Sequence, residues 1–180
     1  MRTNLYAHKP NHRQFHLEIR DNLRGLTFSD RTERIKELQQ LLQTRIRFIE
    51  GFEVNGVFDK PTKLAVKAFQ MRNFLDNHGI IDSHTWKALR QGRRQNLPTL
   101  RFTSCGGDVA RVQKALSWKH PGFSNGYYFE EIHGDFNLRT EVALKMFQRD
   151  QKLVIDGIIG DKTWEAMMAL ASVMSYIKYL

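Results

Sequence analysis

Histidines at positions 8, 12 and 16 recur every four residues. On a helix that spacing would set three imidazoles on one face, where they could share a metal ion. Pro10 stands between the first two and would break such a helix. The trio is therefore assigned to a basic arm and not to a metal centre. The one cysteine, Cys105, excludes an intrachain disulfide. A thiolate nucleophile needs a histidine oriented beside it, and the surrounding "TSCGGD" reads as the lead-in to a helix. There is no His-Glu-x-x-His pair and no Gly-rich phosphate loop. The sequence predicts no catalytic residue, no metal and no cofactor: this chain is not expected to be an enzyme.

What repeats instead is a pattern of glycine, threonine, glutamine and aromatic residues. Gly56, Phe58, Thr62, Ala65, Phe69, Gln70, Gly79, Thr85 and Trp86 each meet the same residue type 78 positions later. The mates are Gly134, Phe136, Thr140, Ala143, Phe147, Gln148, Gly157, Thr163 and Trp164. Upstream the offset is 74: Ile35-x-x-Leu38-Gln39-x-x-Leu42 matches Val109-x-x-Val112-Gln113-x-x-Leu116. Identities at a fixed spacing mark an internal duplication. The second copy carries four extra residues before Gly134, because 78 − 74 = 4.

Helical spacing and end signals then place the elements. Ser29 or Asp30 is expected to cap a first helix, with Glu33 in the capping-box position. Ile35, Leu38, Leu41, Leu42 and Ile46 give that helix an apolar stripe. Pro61 suits the first turn of a second helix, and a third begins near Ser83. The second copy repeats the plan from Asp108, from about Thr140 and from Asp161. Its last helix runs on to the C-terminus with Met167, Leu170, Met174 and Ile177 on one face. The prediction is an all-α protein with two tandem three-helix domains. Residues 1–28 are a basic arm, with a short helix around Arg13–Leu23. Residues 29–90 are the first domain, 91–105 a basic linker and 106–180 the second domain with an extended C-terminal helix.

The order Leu-Gln, Gly-x-Phe-x-x-x-Thr-x-x-Ala, Phe-Gln and Gly-Ile-Ile-x-x-x-Thr-Trp in each copy resembles the peptidoglycan-binding-like domain family. That resemblance implies a three-helix module and a non-catalytic role in binding the cell wall. The second copy keeps Asp156-Gly157-Ile158-Ile159-Gly160, whereas the first has His78-Gly79-Ile80-Ile81-Asp82. Where the family favours glycine after the first-turn Phe, this chain has Asp59 and Asn137, which tolerate left-handed backbone. The motif aromatics Phe58, Phe69, Trp86, Phe136, Phe147 and Trp164 read as core. The duplication predicts like environments for the two tryptophans. Gly56 and Gly134 read as turn residues. Thr85 and Thr163 read as caps of the last helix of each copy.

Four features stand as surface candidates: the loop aromatics Phe123, Tyr127, Tyr128 and Phe129, the linker arginines Arg93 and Arg94, and Asp156 and Thr163 of the better-kept motif. Loop aromatics could stack on sugar rings, anchor a protein partner, or fold back over a small core. The charge of +9 is unevenly spread. Residues 1–90 hold 16 Lys/Arg against 10 Asp/Glu, 91–105 hold three arginines and no acid, and 106–180 hold 9 against 9. A basic half suits an anionic polymer such as peptidoglycan. Nucleic acid has only the charge in its favour, with no recognition motif. The alternative is an intracellular assembly subunit that docks through the aromatic loop and the last helix. The N-terminal stretch has no apolar h-region, which sets the expectation of a cytoplasmic protein unless another route exports it. No stretch has the length of a transmembrane segment.

Overall fold

The computed structural model describes residues 28–46, 49–118 and 126–179. The arm, with His8, His12 and His16 and its short helix, lies outside the described residues, and so does Phe123. Six helices are described: α1 (Phe28–Arg45), α2 (Lys60–Arg72), α3 (Ser83–Gln91), α4 (Gly107–Leu116), α5 (Leu138–Asp150) and α6 (Asp161–Tyr179). Among the described residues β pairing is limited to the isolated bridges Leu100–Ile159 and Cys105–Asp135. The all-α class and the two three-helix units are as expected.

Helix ends follow short polar side chains. The Asp59 carboxylate accepts the Thr62 N–H at 2.9 Å at the start of α2, and Pro61 occupies the first turn. The Asp82 carboxylate accepts the Thr85 N–H at 2.7 Å at the start of α3. Asn137 accepts the N–H groups of Arg139 and Thr140 at the start of α5. Each cap satisfies one or two N–H groups that the helix cannot bond internally. Three expectations are corrected here. Asp59 and Asn137 are extended caps, with φ of −93° and −97°, not left-handed residues. Thr85 lies inside α3 and Asp82 is its cap. Helix α1 already begins at Phe28, so Ser29 and Asp30 fall in its first turn.

The repeated Gln, Gly and Thr form one device used four times. Gln39, Gln70, Gln113 and Gln148 are fully buried. Their Oε1 atoms accept the N–H of Gly56, Gly79, Gly134 and Gly157 at 2.8–2.9 Å. Their Nε2 atoms donate to the hydroxyls of Thr62, Thr85, Thr140 and Thr163, six residues beyond each glycine. Each amide also donates to a loop carbonyl, those of Val57, Ile80, Asp135 and Ile158. A side chain thus satisfies the buried backbone of an irregular turn, work that a sheet would otherwise do. Glycine is needed at the turn: at Gly56, φ is +76° and an added Cβ would lie 2.5 Å from Thr32.

The two units have separate cores, built on Leu38, Leu42, Val66, Phe69 and Leu89 in the first and on Val112, Leu116, Phe136, Phe147 and Met167 in the second. Phe74, just beyond α2, joins the second core and meets Trp164 edge-on at 5.2 Å. It does so in left-handed backbone, φ +51°, an unfavourable state for a bulky residue that the surrounding contacts must hold. Helix α6 packs along α2, and the Arg72 Nε donates to Ser175 Oγ at 2.7 Å. The buried face of α6 carries Trp164, Met167, Ala171 and Ser175. Ile177, expected on that face, is 59% exposed, because the surface that receives α6 is α2 of the other unit.

The two tryptophans do not share one environment. Trp164 is buried under Phe74 and donates its indole N–H to the Pro98 carbonyl at 2.8 Å. Trp86 is half-buried against the first core, with the guanidinium groups of Arg90 and Arg34 at 5.1 and 5.7 Å from its ring. The inter-unit contact covers one tryptophan only.

Candidate functional site

The segment before α4 does more than connect. Leu100 and Ile159 exchange both backbone hydrogen bonds, at 3.1 and 2.8 Å. Leu97 packs on the second core. The Arg94 guanidinium donates twice to Asp108, at 2.6 and 2.9 Å, and once to the Phe74 carbonyl at 2.7 Å. Its backbone N–H goes to Asn73 at 3.1 Å. The segment is thereby held across the start of α6, and a groove of about 340 Å³ opens between them. Arg93, Arg94, Gln95, Asn96 and Leu97 form one wall; Asp161, Trp164, Glu165 and Met168 form the other.

The charges in this groove are of both signs. Arg93 is exposed, while Arg94 is neutralised by Asp108. Opposite stand the exposed carboxylates of Asp161 and Glu165. Gln95 and Asn96 add amide donors and acceptors on the rim, and Leu97, Trp164 and Met168 supply an apolar base. Such a groove suits a ligand that carries carboxylate, amide and ammonium groups along a short chain. Among the described residues no cluster of three His, Cys, Asp or Glu side chains could hold a metal ion.

A second groove, of about 310 Å³, is almost wholly apolar. Phe129 is 70% exposed, and beside it Leu138, Val142 and Met146 form an exposed stripe along α5. A Glu130–Arg139 ion pair edges it.

The sequence candidates divide accordingly. Arg93 and Arg94 line the mixed-charge groove. Tyr127 and Tyr128 are buried: their N–H groups both go to the Leu116 carbonyl at the end of α4, and Tyr127 meets Phe147 edge-on at 5.8 Å. Burial and the neighbouring Asp150 carboxylate push the Tyr127 phenol up to about 12. Of the loop aromatics described, Phe129 alone projects outward. Asp156 is exposed but serves its own turn, accepting from Gln148 Nε2 and Ile158 N–H at 2.8 Å. Thr163 is buried in the glutamine network and lines neither of these two grooves. Gly160 has open space where a Cβ would be. The sequence reading missed Gln95, Asn96, Asp161 and Glu165. Their signal was a difference between copies: Asp161 and Glu165 stand where the first copy has Ser83 and Lys87.

Residues 31–89 and 105–167 both match the family model described as "Putative peptidoglycan binding domain". The chain is also 32% identical over 124 residues to the N-acetylmuramoyl-L-alanine amidase CwlM of Mycobacterium tuberculosis. That match covers 66% of this chain and 29% of the relative. No solved structure matches significantly.

Proposed function

Because the chain belongs to the peptidoglycan-binding domain family, we propose that it binds peptidoglycan without cleaving it, and that the groove between Arg93–Leu97 and α6 takes the peptide portion of the polymer. Peptidoglycan joins an N-acetylated glycan to short peptides bearing carboxylates, amides and, in many forms, a free amine. The observation that carries the reading is that Arg93 lines one wall of an amide-rimmed groove and Asp161 and Glu165 the other. The relative points the same way, since its name places its action at the junction of glycan and peptide. Its hydrolysis is not transferred: the chain spans 29% of its length.

A titration of a soluble disaccharide-peptide into the protein tests this. Arg93→Glu and Glu165→Lys each weaken binding by about tenfold, the value of one exposed charge-assisted contact near 1.4 kcal/mol. Both side chains are exposed, so thermal stability should stay near that of the parent. Unchanged affinity in both variants would remove the groove from the site.

A second reading has its own observation. The apolar groove at Phe129, Leu138, Val142 and Met146 is the kind of surface that a protein partner covers. An intracellular assembly subunit would use it. Phe129→Ser with Val142→Ser would then release the protein from a complex, yet leave peptidoglycan binding intact.

A further inference from the structure

The groove beside α6 has the opposite sign to the chain as a whole. The protein carries a net charge of +9. The groove is lined by one exposed cation, Arg93, and by two exposed anions, Asp161 and Glu165. Arg94 adds nothing to this balance, because Asp108 neutralises it at 2.6 and 2.9 Å. Lys162, between the two acids in sequence, does not line the groove. Among the described residues the side chains of Arg93, Asp161 and Glu165 have no ionic or hydrogen-bonded partner. Other acids of the same unit are engaged: Glu141 receives Lys145 at 2.6 Å and Asp150 receives Arg149 at 3.1 Å.

The fold does not require these two acids. The first unit begins its third helix with Ser83 and Lys87 at the same places, 78 residues earlier. A separation of four residues puts Asp161 and Glu165 one turn apart on one face of α6, so both carboxylates meet the same occupant. Below them the groove is carbon. Leu97 and Met168 are apolar, and the Trp164 indole N–H is already given to the Pro98 carbonyl at 2.8 Å. A volume of about 340 Å³ is near the lower end for small-ligand sites. It has room for the end of one side chain and not for a glycan strand.

We propose that the groove recognises the free side-chain amine of an un-cross-linked stem peptide, held as an ammonium by Asp161 and Glu165. This inference rests on the peptidoglycan reading above and narrows it. The ligand class is a diamino acid, with an ammonium, a methylene stem and a nearby carboxylate. The stem lies over Leu97 and Met168, and the carboxylate meets Arg93. An alkyl amine is protonated at neutral pH, as a lysine side chain is. Cross-linking acylates that nitrogen, which becomes a neutral amide with one N–H. The two carboxylates then lose their charge-assisted bonds. The groove thereby separates open stems from joined ones, and the chain gathers where the wall is newly laid or newly cut.

Two soluble disaccharide-peptides test this, alike except that the side-chain amine of the diamino acid is free in one and N-acetylated in the other. Calorimetric titration into the parent should show about tenfold tighter binding of the free amine, the value of one exposed charge-assisted contact. Asp161→Asn with Glu165→Gln should bind both forms alike, near the parent's affinity for the acetylated one. Both side chains are exposed, so this variant should melt with the parent. Equal affinity of the parent for the two forms would overturn the amine reading and leave peptidoglycan binding standing. A preference for the free amine that survives in the double variant would overturn the assignment to these carboxylates. Binding of neither form would overturn the peptidoglycan reading itself, and this inference with it.

Discussion

At the scale of single residues, stability concentrates in side chains that satisfy buried backbone. Gln148 bonds Gly157 N–H, Ile158 C=O, Asp156 and Thr163, all within 3.4 Å. Gln148→Ala removes one partner from several buried groups at once, and each orphaned group costs ~1–3 kcal/mol. The expected loss is about 3 kcal/mol by urea unfolding, with Gln70→Ala similar in the first unit. A loss under 1 kcal/mol would show that water replaces the amide freely. Tyr127 makes a pH prediction. Its phenol stays neutral in the fold up to about 12, against the ordinary value of 10. A raised pKa means that its contribution is complete below pH 10 and is lost as the pH rises from 10 towards 12. Spectrophotometric titration should show one tyrosine ionising near 12, absent in Tyr127→Phe.

At the scale of elements, the decisive contact is α6 against α2, anchored by Trp164 and Phe74. Trp164→Ala should cost ~3–5 kcal/mol, the range for deleting a large buried aromatic. Trp86→Ala should cost clearly less, because its ring is only half-buried. Equal losses, read from thermal unfolding, would contradict the asymmetry of the two units. Much of this level was legible in the sequence. Pro61, Gly56, Gly134 and the Leu-Gln and Phe-Gln pairs place the turns and helices because local chemistry decides them. The partner of α6 was not legible. Its Met167-Leu170-Met174-Ile177 stripe gives a period, but the buried line through Ala171 and Ser175 depends on which surface lies opposite. Nor could the pattern separate a cap from a network member: Thr85 looks like the first and is the second.

At the scale of the molecule, two small units share one framework. Each alone is near the low end of independent folding size. Arg94, which bonds both Asp108 and the Phe74 carbonyl, and the contacts Arg111–Asp76, Arg72–Ser175 and Phe74–Trp164 tie them together. The same contacts hold the Arg93–Leu97 wall in place, so the groove is a product of the pairing. The sequence showed that Arg93 and Arg94 were unusual but not that they differ in role. Arg94 is the inward clamp and Arg93 the outward charge, a division set by Asp108 and Phe74 from distant parts of the chain. The loop aromatics divide for a similar reason: Tyr127 and Tyr128 find the end of α4 and the core, and Phe129 finds neither.

The claim that the chain binds the wall polymer is tested most directly by co-sedimentation with isolated peptidoglycan across ionic strength. The account predicts that the intact chain pellets with the polymer at low salt. Binding should weaken as salt shortens the reach of exposed charges to about 8 Å near physiological strength. Arg93→Glu should lower the bound fraction at every salt concentration. A chain that stays in the supernatant at low salt, while its helices remain folded, would contradict it.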